Sequence, residues 1–206
     1  MIFLSRRPSK NWAMRYYLSL GSNVGEKSEN LGRARRLLER SGIRVVRSSS
    51  LYRTQPVGTS DQPWFVNQVI EIATALRPQG LLRLLKKVEK ALGRRPGPVN
   101  GPRMIDLDIL LAGNLVMKGK KLTIPHPRLP QRNFVLVPLE EIAPDTVHPI
   151  TKKTVLDLCR ASQDPAVVRK LKPHRDAPKR AGRSAGEINP KKGRTGRPDH
   201  QDEMNR

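Results

Sequence analysis

The order of hydrophobic periodicities along this chain admits few folds. Tyr16-Tyr-Leu-Ser-Leu20 reads as a strand, and Leu31, Ala34, Leu37 and Leu38 then repeat at helical spacing to about Ser41. Ser28 is a plausible N-cap for that helix, and Gly42 is its stop. Residues 43–52 read as a second strand and residues 65–76, rich in β-branched side chains, as a long third one. Pro78 opens a second helix whose buried side is drawn by Leu81, Leu82, Leu84, Leu85, Val88 and Leu92, with Gly93 as its end. Residues 105–111 make a fourth strand, followed by a small hairpin over 115–124 and helices over 134–142 and 155–159. Strand, helix, strand, strand, helix, strand is the split β-α-β arrangement. The expected fold class is therefore α+β, a ferredoxin-like antiparallel sheet with helices on one face and the other face left for ligands.

The fourth strand carries the chemistry. In Gly101-Pro-Arg-Met-Ile-Asp-Leu-Asp-Ile-Leu-Leu111 two carboxylates lie two apart among branched apolar residues. Strand side chains alternate, so Asp106 and Asp108 share one face and Leu107 and Ile109 the other. Two bare carboxylates on a sheet are costly to bury, and a divalent cation removes that cost. Hard oxygen donors of this kind suit magnesium, which binds through one or two carboxylates plus substrate phosphates. Arg103, just upstream behind a Gly-Pro turn, places a cation where such a phosphate would lie. Arg94 opens a loop with two prolines that precedes the strand, a position suited to gripping phosphate on closure. On the third strand Phe65 and Asn67 share a face, where a ring and a carboxamide can stack on and hydrogen-bond a flat heterocycle. A strand, a Gly-rich turn and Lys27-Ser28 imitate a P-loop. The spacing is wrong: Gly21 and Gly25 enclose three residues and Glu26 intervenes before the lysine.

Charge narrows the partners. Lys and Arg exceed Asp and Glu by 22, and residues 14–160 are basic in their own right, which implies an anionic partner. One cysteine, Cys159, excludes an internal disulfide and a cysteine-rich zinc site. No apolar run approaches membrane-spanning length, so no membrane partner is expected and a cytoplasmic setting is the default. Three segments are expected: a disordered extension over 1–13 with Met14 as the authentic start, a catalytic domain over 14–163, and a basic disordered tail over 164–206.

The run over 101–111 resembles the signature of the 6-hydroxymethyl-7,8-dihydropterin pyrophosphokinases of folate biosynthesis. Thr123-Ile-Pro-His-Pro-Arg128, Arg132-Asn-Phe-Val-Leu-Val-Pro-Leu139, Leu51-Tyr-Arg-Thr-Gln-Pro56 and Asp61-Gln-Pro-Trp-Phe-Val-Asn67 carry the same resemblance, in family order. It implies magnesium-dependent transfer of pyrophosphate from ATP to the pterin hydroxymethyl group, with release of AMP. It implies that Asp106 and Asp108 hold two Mg2+ ions and that Arg94 and Arg103 are the catalytic arginines. It further implies that Glu89, Ile109, Thr123, His126 and Arg132 belong to the ATP site. Thr54, Pro56, Val57, Phe65, Asn67 and Phe134 then belong to the pterin site. A monomer is expected, with weak polyanion binding by the basic tail. Two other readings stay open. One is an RNA-binding sheet, although the aromatic-rich strand motif it needs is absent. The other is a catalytically silent relative, because Val99 and Asn100 replace the basic and aromatic residues common before the Gly-Pro-Arg.

Overall fold

The structure is a computed structural model and describes residues 13–56, 62–94 and 101–172. The expected 1–13 extension, apart from Ala13, and the tail beyond Lys172 lie outside the described residues, as do Val57 and residues 95–100.

β1 (Met14–Ser22) leads through a turn into α1 (Lys27–Arg40), and β2 (Arg44–Ser48) and β3 (Tyr52–Thr54) follow. β4 (Phe65–Thr74) runs into α2 (Pro78–Ala91), and β5 (Asp106–Leu111) completes the second strand-helix-strand half. The hairpin is β6 (Met117–Lys118) with β7 (Thr123–Ile124). A 3-10 turn at Leu129–Gln131 precedes α3 (Asn133–Ile142), and α4 (Val155–Arg160) and β8 (Val168–Lys170) end the described chain.

The main sheet runs β5-β1-β4-β3-β8, with β2 paired to the far half of β4, and every pairing is antiparallel. This is the ferredoxin-like order. β1 and β4 pair from Met14↔Thr74 to Ser22↔Val66 without a register shift. One face meets α1 and α2. Tyr16, Leu18, Leu20, Ile70, Ile72 and Leu107 pack there against Leu31, Leu38, Leu81 and Leu85, all essentially solvent-free. Each such leucine contributes about 2 kcal/mol by leaving water. Pro78 stands in the first turn of α2, where its missing N–H costs nothing, and Gly93 beyond the end has φ +88, a backbone that L side chains rarely adopt.

Four local expectations are corrected. The strand read over 43–52 is two strands, because Ser49 leaves the ladder: its hydroxyl accepts the Val69 N–H at 3.0 Å while its own N–H donates to the Val69 carbonyl at 2.9 Å. Ser28 is not the cap of α1; Glu26 holds that position without a side-chain cap. Asn133 is not the cap of α3 either but its first helical residue. The disorder expected from residue 164 does not hold for the first part of that segment, since Val168–Lys170 is a strand paired with β3. Three polar-flanked residues at a sheet edge carry no readable period.

What the sequence pattern did not show is a second helical layer. Val69, Leu110 and Leu111 on the opposite face are covered by Val135, Leu136, Leu139 and Ile142 of α3 and by Val155 and Leu158 of α4. That layer takes part of the face read as open. The rest of it holds the site.

Candidate active site

Three strands lay out the floor of the site in register. Asp106 of β5 pairs with Gly21 of β1, which pairs with Asn67 of β4. Neighbouring strands lie about 4.8 Å apart, so the carboxylate and carboxamide rows stand roughly 10 Å from each other with a glycine between them. A cavity of about 420 Å³ rises over this row. Gly21 makes it possible: a Cβ there would come within 2.6 Å of Asn67 Oδ1. Asn67 Nδ2 donates to Thr54 Oγ1 at 2.6 Å, which fixes the amide and leaves Oδ1 as its outward acceptor.

The acidic end is framed by arginines. Arg94 Nη1 lies 2.7 Å from Asp106 Oδ1, and Arg103 Nη1 lies 2.7 Å from Asp106 Oδ2. Behind them Glu89, buried in α2, accepts from Lys86 at 2.8 Å, from Arg94 at 2.6 Å and from the Leu107 backbone N–H at 2.8 Å. Arg103 is also held by its backbone: its N–H donates to Asn23 Oδ1 at 2.6 Å, and its carbonyl accepts from the Asn23 N–H at 3.1 Å. Burial works against the charge of Arg94, but Asp106 and Glu89 outweigh it and raise its pKa.

Asp108 is different. Burial, then the neighbouring Asp106 charge, pushes its pKa up to about 6, and among the described residues no donor reaches its carboxylate. Lys86 and Arg132 act on this carboxylate only through space, and their pull does not offset burial and the Asp106 charge. Described His, Cys, Asp and Glu residues form no cluster of three or more. The donor set is thus two hard carboxylates beside open space and cations, which fits magnesium held jointly with a phosphate ligand rather than an all-protein cage.

Opposite stand His126, Arg128 and Arg132. Burial first, then Arg132 and Arg128, brings the pKa of His126 down to about 4, so the ring is neutral near pH 7. Its Nδ1 accepts the Arg128 N–H at 3.2 Å, leaving the proton on Nε2 as a donor. Arg132 lies over the Phe134 ring at 5.3 Å, and its own pKa is lowered by burial and then by Arg128. Among the described residues, five basic side chains, Lys86, Arg94, Arg103, Arg128 and Arg132, line the cavity against two acidic ones, which selects for an anionic occupant.

Of the expected residues, the structure brings Arg94, Arg103, Asp106, Asp108, His126, Arg132, Thr54, Pro56, Phe65, Asn67 and Phe134 to one cavity. Glu89 sits beneath it, in contact through Arg94 and Leu107. Ile109 is not brought in. Alternation turns its side chain into the core with α1 and α2, where it is 3% exposed. Thr123, on β7, is not among the cavity-lining residues either. Val57 lies outside the described residues. Gly21, Asn23, Lys86 and Arg128 were missed. Only Gly21-Ser-Asn23 had a sequence signal, a turn closing a strand.

A ferredoxin-like sheet presenting an acidic pair amid arginines suits enzymes that handle polyphosphates. The family profile of 7,8-dihydro-6-hydroxymethylpterin-pyrophosphokinase (HPPK) matches residues 17–144, and the chain belongs to that family. It is 47% identical over 134 residues to the 2-amino-4-hydroxy-6-hydroxymethyldihydropteridine pyrophosphokinase of Methylorubrum extorquens, covering 65% of this chain and 85% of that protein. It is 44% identical over 127 residues to the enzyme of the same name from Bacillus subtilis, covering 61% of this chain and 76% of that one. Against the folic acid synthesis protein fol1 of Schizosaccharomyces pombe it is 46% identical over 136 residues. That match covers 66% of this chain but spans only 19% of the fungal protein. The HPPK-DHPS of Plasmodium falciparum, solved with pterin and p-hydroxybenzoate, superposes on 74% of this chain and 43% of its own. Its TM-score is 0.58 at 16% identity, a likeness of fold.

Proposed function

We propose that this chain transfers the pyrophosphoryl group of ATP to the hydroxymethyl group of 6-hydroxymethyl-7,8-dihydropterin, giving AMP and the pterin diphosphate in folate biosynthesis. The observation that carries this reading is the Asp106–Asp108 pair facing a cavity with Arg94 and Arg103 already on Asp106. The pterin oxygen attacks the β-phosphorus, the bond from that phosphorus to the oxygen bridging it to the α-phosphate breaks, AMP leaves with that oxygen, and the hydroxyl proton goes to solvent.

Asp106 and Asp108 would hold Mg2+, two ions with ATP as co-substrate. When bound, the metal neutralises phosphoryl charge and aligns the in-line displacement. Arg94 and Arg103, both held at Asp106, would supply guanidinium groups to the phosphate oxygens. His126 offers Nε2–H to a nucleotide oxygen without adding charge, and Arg132 supplies charge beside it. Glu89 keeps Arg94 and β5 in place, while the side chains of Ile109 and Thr123, which do not line the cavity, have no direct part in this reading. Phe65 and Phe134 flank the pterin ring, Asn67 reads its edge through Oδ1, and Thr54, Pro56 and Val57 close the pocket around it. An RNA-binding sheet is disfavoured, because the aromatic-rich strand motif it needs is absent from the sequence.

The same reading takes the domain to be a cytoplasmic monomer. Among the described residues no helix is long and apolar enough to cross a membrane. The basic residues beyond 172 would add weak polyanion binding. Phosphorus NMR of ATP, Mg2+ and the pterin with the protein tests the reaction class. Both transferred phosphorus atoms are expected on the pterin, with AMP as co-product. ADP formation would overturn the assignment.

A further inference from the structure

Residues beyond 144 lie outside the family match, yet one short piece of them touches both walls of the cavity. The first turn of α3 has no local cap, since Arg132 at its N-cap cannot accept a hydrogen bond. Asp164 supplies the cap from 31 residues downstream: its Oδ2 accepts the Asn133 N–H at 2.7 Å. Asn133 Nδ2 in turn donates to the Asp164 carbonyl at 2.8 Å. The other carboxylate oxygen accepts the Ala166 N–H at 3.0 Å, so Asp164 is itself held. Its charge also suits a helix N-terminus. The residue it clamps lies between Arg132 and Phe134, both in the cavity wall.

Three residues on, the chain reaches the opposite wall. The Val167 carbonyl accepts the Gln55 N–H at 3.1 Å, and Val168 pairs with Thr54. Thr54 is the residue that orients Asn67. Three residues span about 10 Å at most, so the two walls cannot part without breaking one end of this link.

We propose that residues 164–170 are a strap that sets the spacing of the pterin end of the cavity, with Asp164 as the positioning residue for Arg132 and Phe134. The proposal rests on the pterin reading given above. The strap is fastened again at its far end, where Lys170 meets Glu141 of α3 at 2.9 Å and the Leu171 N–H donates to the Leu51 carbonyl at 2.8 Å.

Steady-state kinetics on the full chain, with ATP, Mg2+ and the pterin, tests it. Asp164→Ala is expected to raise KM for the pterin about fivefold, the worth of one cap, with kcat within about twofold. Asp164→Asn, which retains a neutral acceptor, recovers most of the loss. Asp157→Ala removes a comparable cap, the Thr154–Asp157 box of α4 away from the cavity, and leaves KM unchanged at a similar drop in Tm. Asn133→Ala cuts the side-chain half of the clamp while discarding a buried Oδ1 that has no partner among the described residues. It is expected to raise KM about twofold with Tm held, and it serves if Asp164→Ala does not fold. Unchanged KM in the Asp164 and Asn133 variants, or an equal rise in Asp157→Ala, overturns the strap. A wild-type protein that forms no AMP overturns the pterin reading first, before any variant is compared.

Discussion

Glu89 Oε1 accepts the backbone N–H of Leu107 at 2.8 Å, and Leu107 is the residue between the two site aspartates. A buried carboxylate on α2 therefore pins β5 from behind at the point where Asp106 and Asp108 face the cavity. The same oxygen holds Arg94 at 2.6 Å and Lys86 at 2.8 Å. One side chain couples the helix, the strand and a phosphate-gripping arginine.

Replacing Glu89 with Ala is expected to cost about 2–4 kcal/mol of stability, because a buried N–H and two cations lose their acceptor. It should also lower kcat/KM for ATP more than tenfold. Glu89→Gln keeps an acceptor for Leu107, so it should recover stability ahead of activity. Urea unfolding alongside steady-state kinetics separates the two effects.

Gly21→Ala probes the floor of the cavity. The new Cβ, 2.6 Å from Asn67 Oδ1, has to displace the amide that Thr54 orients. KM for the pterin should rise at least tenfold with KM for ATP within about twofold, since roughly one hydrogen bond to a buried polar edge is lost. Equal effects on both substrates would contradict this placing of Asn67.

Asp108 makes an unusual stability prediction. Its folded pKa of about 6 lies above the ordinary 3.8, so the folded state disfavours its charge. The resulting destabilisation is absent below pH 3.8, grows as pH rises through about 6, and is complete above. Asp108→Asn should therefore make the metal-free protein about 1–3 kcal/mol more stable at pH 8 and no more stable near pH 4. Urea midpoints at the two pH values check it. Added Mg2+ with a nucleotide should favour the wild type instead.

Glu141 carries the opposite shift. Although burial raises its pKa, hydrogen bonds from Lys170, Ser50 and Tyr52 bring it down to about 2. Its contribution is fully present above the ordinary value of 4.5 and is lost as pH falls toward 2. Wild type should exceed Glu141→Gln by about 2 kcal/mol at pH 7, and the two should converge by pH 2. Acid unfolding followed by circular dichroism measures the gap.

The sequence exposed whatever is periodic and local. A period of two placed Asp106 with Asp108 and Phe65 with Asn67, and a period near 3.6 drew the buried sides of α1 and α2. Long-range polar ties left no such trace. Asp164 caps a helix that begins at Asn133, and Glu141 reaches Ser50 and Tyr52 across the fold, so neither partner marks the other in sequence. Ile109 shows the limit of transferring roles by resemblance: the alternation that puts Asp108 in the cavity sends its neighbour into the core.

The most direct measurement is product formation from ATP, Mg2+ and 6-hydroxymethyl-7,8-dihydropterin, comparing wild type with Asp108→Ala. AMP and pterin diphosphate should appear in equal amounts with wild type. The folded variant should lose about a thousandfold or more in rate, the scale on which metal and electrostatic stabilisation of a phosphoryl transition state operates. A fully active Asp108→Ala, or a wild type that releases no AMP, would contradict the assignment of this carboxylate pair.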